Sequence, residues 1–266
     1  MVRPVSVGID GSAESLAAAA WAGQEAARRG LPLHLVYALE WRTSNLQFSP
    51  GASAQREWVE SRIEVAQEEL SETHPELEVG VRRPAGPPAK ALIDIAGESE
   101  ELVLGSRGLG VLEGFLLGTV SLTVIAHASR PVVAVREAGT GDGPVVVGLG
   151  HEGPYGPLLD FAFQAAAGRG TGVQAVGAEP TAPAAKEREP LARTLGPWRE
   201  RWPQVEVEER LPTGPAVRQL VAEATDAALL VVGRRVRRPA LGVRLGPVAH
   251  GVLHHAPCPV AVVPHG

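Results

Sequence analysis

The sequence LVLGSRGLGVLEGFLLGTVSLTVIAHA, residues 102–128, places a glycine-rich turn between a strand and a helix. The apolar run Leu102-Val103-Leu104 predicts a buried strand, and the apolar periodicity of residues 120–128 predicts a helix. Between them, Gly105-Ser106-Arg107-Gly108 is followed after nine residues by Gly118-Thr119. Glycines at a strand end permit tight turns and close approach of an anion to main-chain N–H groups, and a helix N-terminus adds donors. The segment therefore predicts a phosphate-binding turn.

The same pattern occurs a second time in the chain. Residues 86–135 align without a gap with residues 214–263 at a constant offset, so that Gly105 corresponds to Gly233 and Gly118 to Gly246. A repeat of this length is a duplicated domain and not a solenoid unit. We therefore expect two domains, residues 1–138 and 144–266, with a glycine-rich linker between them.

Composition narrows the class of protein. The 266 residues carry a formal net charge of −5, and neither half is basic enough to suggest nucleic-acid binding. The single cysteine, Cys258, excludes an intrachain disulfide and fits a reducing compartment. The N-terminus runs directly into a predicted strand, and no apolar stretch approaches membrane-spanning length. We expect a cytoplasmic protein without nucleic-acid or membrane partners.

Strands and helices alternate along both halves. In the first half, the pattern predicts a polar loop over residues 40–54, strands at 5–9, 33–38, 78–82, 102–104 and 132–135, and helices at 15–29, 55–72, 88–96 and 121–128. The second half repeats this order, with a short, proline-interrupted second helix around residues 191–202. Such alternation predicts an α/β fold, namely two tandem doubly wound parallel-sheet domains with helices on both faces.

Taken together, these features resemble the universal stress protein family. Residues 105–119 match the family's nucleotide signature, Gly-x2-Gly-x9-Gly-Ser/Thr, at every fixed position. The first predicted strand ends in Asp10-Gly11-Ser12, and Gly86-Pro87 precedes the third predicted helix, as is typical of the family. The resemblance covers nearly the whole chain as a tandem pair. It implies flavodoxin-like, adenine nucleotide alpha hydrolase-like domains that bind ATP, with or without Mg²⁺, and lack a Walker A loop.

The resemblance also implies a set of binding residues. Asp10 would contact the nucleoside, Val36 the adenine, and Gly105 and Gly108 the ribose and phosphate, while residues 118–121 would bind the phosphates. The complete candidate site is Asp10, Val36, Gly105, Arg107, Gly108, Gly118, Thr119, Val120 and Ser121.

Structural alternatives exist for several of these residues. Gly105 and Gly108 are also compatible with a simple tight turn, Asp10 with an Asx turn, and Thr119 with helix capping. Arg107 is either a solvated loop residue or a further phosphate contact.

The second half departs from the signature. Val236 replaces Gly108, Pro247 replaces Thr119, Ala249 replaces Ser121, and Gly150 aligns with Asp10. We therefore expect one nucleotide per chain, bound in the first half.

Two further features of the second half have competing interpretations. The arginine-rich residues 234–238 are either a solvated face or a second anion or partner site. His250 and His254 have the spacing of metal ligands on a helix, but no HExxH motif surrounds them and their aligned positions, Leu122 and Ala126, are apolar. We expect no metal site.

These observations favour an ATP-binding stress-response sensor or regulator that is not an enzyme, although weak ATPase activity is left open. One alternative is an ATP-using enzyme of related fold, but such enzymes need a glycine- and serine-rich loop after the first strand, which is poor in glycine here. The other is an interaction module without nucleotide. The apolar last strands, residues 132–135 and 260–263, predict an intramolecular pseudo-dimer, and a homodimer is also compatible with the sequence.

Overall fold

The computed structural model describes residues 2–38, 50–108, 115–116, 118–136, 141–150, 153–177, 185–236 and 245–266. The chain divides into two compact units near residue 137, and each unit is an α/β domain.

The first unit alternates strands and helices, with two additional two-residue strands before its last helix. Its strands are β1 (Val5–Gly8), β2 (Leu33–Val36), β3 (Val79–Arg82), β4 (Glu101–Gly105), β5 (Arg107–Gly108), β6 (Phe115–Leu116) and β7 (Val132–Val135). Its helices are α1 (Ala13–Arg29), α2 (Pro50–Thr73), α3 (Pro88–Glu98) and α4 (Thr119–His127).

The second unit follows the same order. Its strands are β8 (Val145–Leu149), β9 (Val173–Gly177), β10 (Val207–Arg210), β11 (Leu229–Arg235) and β12 (Val260–His265). Its helices are α5 (Gly156–Arg169), α6 (Ala185–Arg201), α7 (Ala216–Glu223) and α8 (Pro247–His255).

Five strands of the first unit pair in parallel, in the order β3-β2-β1-β4-β7, and β5 pairs with β6 separately. From β1 the chain proceeds through β2 to β3 on one side, and from β4 to β7 on the other. The strand order therefore reverses between β1 and β4, which is where doubly wound sheets form a crevice at the carboxyl ends of their strands. The second unit has the equivalent order β10-β9-β8-β11-β12, with its reversal between β8 and β11. The doubly wound, flavodoxin-like fold predicted from the sequence is confirmed.

Local sequence signals set the ends of helix α1. Ser12 is its N-cap, because its hydroxyl accepts a hydrogen bond from the Ser15 N–H at 3.2 Å. Gly30 ends the helix in the left-handed conformation, at φ 60°, which only glycine adopts without strain. Helix α5 ends in the same way at Gly170, at φ 65°.

Two predicted segments differ from the structure. The predicted loop 40–54 was wrong at its end, because α2 begins at Pro50; proline is well suited to a first helical turn, where its missing N–H has no intrahelical acceptor. Residues 39–49 lie outside the described part of the chain. Helix α6 is longer than predicted and runs through Pro190 and Pro197, with Leu195 buried. Packing of its apolar face outweighs the local cost of proline.

Candidate functional site

The carboxyl ends of three strands bring the first candidate residues to one edge of the sheet. Gly8, the last residue of β1, lies opposite Val36 of β2 on one side and Leu104 of β4 on the other. Asp10 follows β1, and Gly105 ends β4. The structure therefore places these candidates at the point where the strand order reverses, although more than half of the domain separates Asp10 from Gly105 in sequence.

Asp10 organises the turn between β1 and α1. Its Oδ1 accepts hydrogen bonds from the Ser12 N–H at 3.0 Å and from the Ser12 hydroxyl at 2.5 Å. The Asp10 N–H donates to the Ser15 hydroxyl at 3.4 Å. This arrangement is an Asx turn, one of the two interpretations considered for Asp10. The carboxylate is nevertheless exposed, so the turn role and contact with a ligand are compatible.

Gly105 and Gly118 are glycines for different physical reasons. A Cβ at position 105 would lie 2.6 Å from the main-chain carbonyl carbon and oxygen of Glu14, so the close approach of α1 alone requires glycine there. A Cβ at position 118 would meet nothing within 4 Å, and Gly118 has an extended conformation, φ −61° and ψ 153°, that any residue can adopt. Nothing in the described fold therefore requires glycine at position 118.

The N-terminus of α4 is exposed at this edge of the sheet. Its first helical hydrogen bond runs from the Leu122 N–H to the Gly118 carbonyl at 3.0 Å, so the N–H groups of Thr119, Val120 and Ser121 have no acceptor within the helix. Gly118 is the N-cap residue and provides no side-chain cap. Gly118, Thr119 and Val120 are all exposed. These main-chain donors, together with the positive end of the helix dipole, can bind an anion.

The remaining candidates, Arg107, Gly108 and Val36, present no described side chain at the surface of this edge. Arg107 and Gly108 form β5, but the Arg107 side chain lies outside the described part of the structure. Val36 is at the carboxyl end of β2 with its side chain 0% exposed, and its carbonyl accepts the Ile9 N–H at 2.8 Å. The surface at the end of β2 belongs instead to Tyr37, which is half-buried.

Sequence patterns did not single out two aromatic residues at this edge. Trp58 of α2 was predicted only as part of a helix, yet it is 47% exposed and its indole ring lies against Gly11 in the Asp10 turn. Tyr37 directly follows β2. The chain has only five tryptophans and two tyrosines, and this scarcity is the sequence feature that could have drawn attention to Trp58 and Tyr37.

Charged groups connect α2 to the end of β3 near these aromatics. The Arg83 guanidinium donates to both carboxylate oxygens of Glu60, with distances of 2.8 and 2.6 Å. These bonds lower the pKa of Glu60. Burial raises the pKa of Tyr37, with Arg56 opposing and Glu60 reinforcing the shift, so the phenol remains protonated at neutral pH.

The equivalent edge of the second unit is built differently. The Tyr155 hydroxyl donates to the Gly150 carbonyl at 2.5 Å, where the first unit has the Asp10 turn. The His265 imidazole occupies the space beside Gly233, since a Cβ there would lie 2.5 Å from His265 Nε2. Burial and the positive charge of Arg235 lower the pKa of His265, which favours the neutral ring. Helix α8 begins with Pro247, which has no N–H to donate.

The arginine-rich segment is described only in part. Arg234 is buried and Arg235 exposed at the end of β11, and the side chain of Val236 is also exposed. Arg237 and Arg238 lie outside the described residues.

Among the described residues, no three His, Cys, Asp or Glu side chains are grouped in a way that could hold a metal ion. The rings of His250 and His254 are 4.5 Å apart. No helix in the described part of the chain is long and apolar enough to cross a membrane.

The fold and site together define a class: two doubly wound, flavodoxin-like α/β domains, the first with an exposed helix N-terminus at the edge where its strand order reverses. The chain belongs to the universal stress protein family, whose profile matches residues 1–136 and 144–264, and it is a tandem member with two family domains.

Relatives that align over nearly their full length support this assignment. The chain is 32% identical over 284 residues to a universal stress protein of Mycolicibacterium smegmatis, with 97% of this chain and 96% of that protein covered. A universal stress protein of Mycobacterium tuberculosis is 31% identical over 283 residues, with the same coverage. The crystal structure of a universal stress protein from Archaeoglobus fulgidus matches 98% of both chains with a TM-score of 0.75 at 18% identity, which is a likeness of fold.

Proposed function

We propose that this protein is a nucleotide-binding regulator that holds one ATP in the crevice of its first domain. The observation that carries the proposal is the exposed first turn of α4, where Gly118 leaves open space and three main-chain N–H groups have no acceptor within the helix. Helix N-termini with a free first turn are suited to phosphate groups. The Asp10 turn lies at the same edge of the sheet and offers a carboxylate to ribose hydroxyls.

The choice of ATP rests on the resemblance of residues 105–119 to the family signature. Gly118 supports this choice. Its backbone conformation would permit any residue, and glycine at this position leaves space for a ligand beside the helix N-terminus. A bound Mg²⁺ would offset the charge of the phosphates.

We propose binding and not rapid turnover as the activity. At the β1–α1 turn, the carboxylate of Asp10 is already engaged by Ser12. Phosphoryl transfer needs a positioned nucleophile and stabilisation of the transferring group. The Ser12 hydroxyl that donates to Asp10 also caps α1 by accepting the Ser15 N–H, so this hydroxyl–carboxylate pair serves the turn. A regulator would instead report nucleotide occupancy to another protein.

The test compares two matched glycines. Calorimetric titration with ATP is carried out on the unmodified protein, Gly118→Val and Gly246→Val. Gly246 is the N-cap of α8, with φ −68° and ψ 160°, and a Cβ added there would also meet nothing within 4 Å, so both changes are sterically tolerated in the same way. Gly118→Val should lower ATP affinity by about tenfold or more, equivalent to about 1.4 kcal/mol, and Gly246→Val should leave it unchanged.

A complementary measurement is mass spectrometry of small molecules released from the purified protein. Adenine nucleotide in the unmodified protein and its loss in Gly118→Val are expected. An unmodified protein without saturable ATP binding would contradict the proposal and favour the interaction module. Pairing of the two domains through their last strands stays a prediction.

A further inference from the structure

Trp58 occupies an unusual position for a large aromatic residue. It is 47% exposed, and its benzo edge lies against the turn that Asp10 organises: a Cβ at Gly11 would be 2.5 Å from Trp58 Cζ3 and 2.9 Å from Cη2. The indole therefore forms part of the surface beside the β1–α1 turn, at the edge of the sheet where the crevice lies.

The turn is shaped to receive this ring. Gly11 has φ 84°, a conformation that L-residues with side chains rarely adopt, and it has no Cβ to collide with the indole. Gly11 is itself buried. The ring and the turn are thus in direct van der Waals contact, and any side chain at position 11 would separate them.

Helix α2 is held firmly beneath the indole. Val59 and Ile63 are buried, and Leu70 lies so close to Gly23 of α1 that a Cβ at position 23 would collide with it. Gly23 follows Gly11 by the same number of residues as Leu70 follows Trp58. The segment that begins at Gly11 and helix α2 therefore lie side by side and run in the same direction.

The Arg83–Glu60 ion pair, with its two hydrogen bonds, adds a connection between α2 and the end of β3. The indole is consequently positioned before any ligand arrives. A preorganised ring loses little conformational freedom on binding, so its contacts contribute efficiently to affinity.

We propose that Trp58 is the platform on which the planar base of the bound nucleotide stacks. Base stacking on an indole is favourable for every nucleobase because each has a π-face, and the exposed part of the ring adjoins the turn where Asp10 would meet the sugar. Tyr37, which directly follows β2 and is half-buried, is a second aromatic residue at this edge of the sheet. Val36, whose side chain is buried, then supports the subsite from within the core.

This inference rests on the proposed function, and the experiment separates the two. ATP and inorganic tripolyphosphate are titrated into the unmodified protein, Trp58→Ala, Trp58→Phe and the control Val65→Ala. Val65 is on the same helix and is 40% exposed, so its truncation removes exposed apolar surface from α2 without touching the indole of Trp58. Thermal unfolding of each variant verifies that it is folded.

Trp58→Ala should weaken ATP binding by about 5- to 150-fold and leave tripolyphosphate binding unchanged, because only ATP carries a base. Trp58→Phe should show a smaller loss, and Val65→Ala none. ATP should also quench tryptophan emission in the unmodified protein and much less in Trp58→Phe.

Each contrary result has a distinct meaning. If the unmodified protein binds ATP and Trp58→Ala retains that affinity, stacking is refuted while the proposed function stands. Equal losses of ATP and tripolyphosphate in Trp58→Ala would also overturn stacking, since the ring would then act by supporting the phosphate site. An unmodified protein that binds no ATP would refute both proposals.

Discussion

Gly105 lies in contact with the main chain of Glu14: a Cβ at position 105 would be 2.6 Å from the Glu14 carbonyl carbon. The residues are distant in sequence but meet where the first turn of α1 crosses the end of β4. A glycine of the nucleotide signature therefore has a packing role that is independent of any ligand, whereas Gly118 has none in the described fold.

Gly105→Ala should accordingly destabilise the first domain. The added methyl must displace α1 or β4, and overpacking of this kind costs about 1–3 kcal/mol in the free energy of unfolding. Urea unfolding followed by circular dichroism measures the change. Gly118→Ala is the matched control and should remain within about 0.5 kcal/mol of the unmodified protein. Equal stability of the two variants would contradict the packing role.

Thr119→Pro should reduce ATP binding without disrupting α4. It introduces the residue found at the aligned position of the second half, Pro247, and the preceding Gly118 already has the extended conformation that proline requires of its neighbour. The variant loses one main-chain N–H at the proposed anion site.

Because a hydrogen bond to a charged group contributes about 1.5–3 kcal/mol, we expect ATP affinity to fall by roughly 10- to 150-fold. Thr119→Ala retains the N–H and loses only the hydroxyl, so its loss should be smaller. Calorimetry measures both variants, and the prediction fails if Thr119→Pro binds ATP like the unmodified protein.

ATP should saturate at one equivalent per chain. In the second domain, Pro247 lacks a donor, Gly150 lacks the carboxylate of Asp10, and the His265 imidazole fills the space beside Gly233. Titration of protein at a concentration well above the dissociation constant gives the stoichiometry. Gly118→Val distinguishes the domains: two equivalents in the unmodified protein, one of which keeps its affinity in Gly118→Val, would mean that the second crevice also accepts nucleotide.

The Glu60–Arg83 ion pair should make a small, pH-dependent contribution to stability. The hydrogen bonds from Arg83 lower the pKa of Glu60 in the folded state. The stabilisation by this ion pair is therefore fully present above the unfolded-state pKa, near the usual glutamate value of 4.5, and is lost as the pH falls through the folded-state pKa.

Because both side chains are partly exposed, Glu60→Gln should lower the free energy of unfolding by only about 0.2–1 kcal/mol at pH 7. Urea unfolding at a series of pH values should show the difference from the unmodified protein shrinking on acidification, and also in 1 M salt. A difference that grows towards low pH would contradict the assigned pKa direction.

Much of the fold was predictable because its signals are local. The apolar runs of β1, β4 and β7, the N-cap Ser12 and the terminating Gly30 depend on short segments of chain. The beginning of α2 was missed because residues 50–54 have small side chains and begin with Pro50-Gly51, a pair that also occurs in loops.

The candidate site was predictable only as a set of residue types. The spacing of the glycine signature correctly located the turn after β4 and the start of α4, but the binding role of Asp10, Gly118 and the other candidates stays a prediction. The exposed Trp58 could not be recognised, because its orientation depends on the packing of α2 against α1.

By itself, the amino-acid sequence determined the duplicated α/β architecture, the family and the glycine signature with its altered copy, since strand and helix periodicity, turn residues and repeats are properties of neighbouring residues along the chain. Only the tertiary structure decided that Gly105 accommodates Glu14, that Trp58 lies exposed against Gly11, and that His265 lies beside Gly233. Each of these is a contact between segments far apart in sequence, and its geometry depends on how helices and strands pack, which no local pattern specifies.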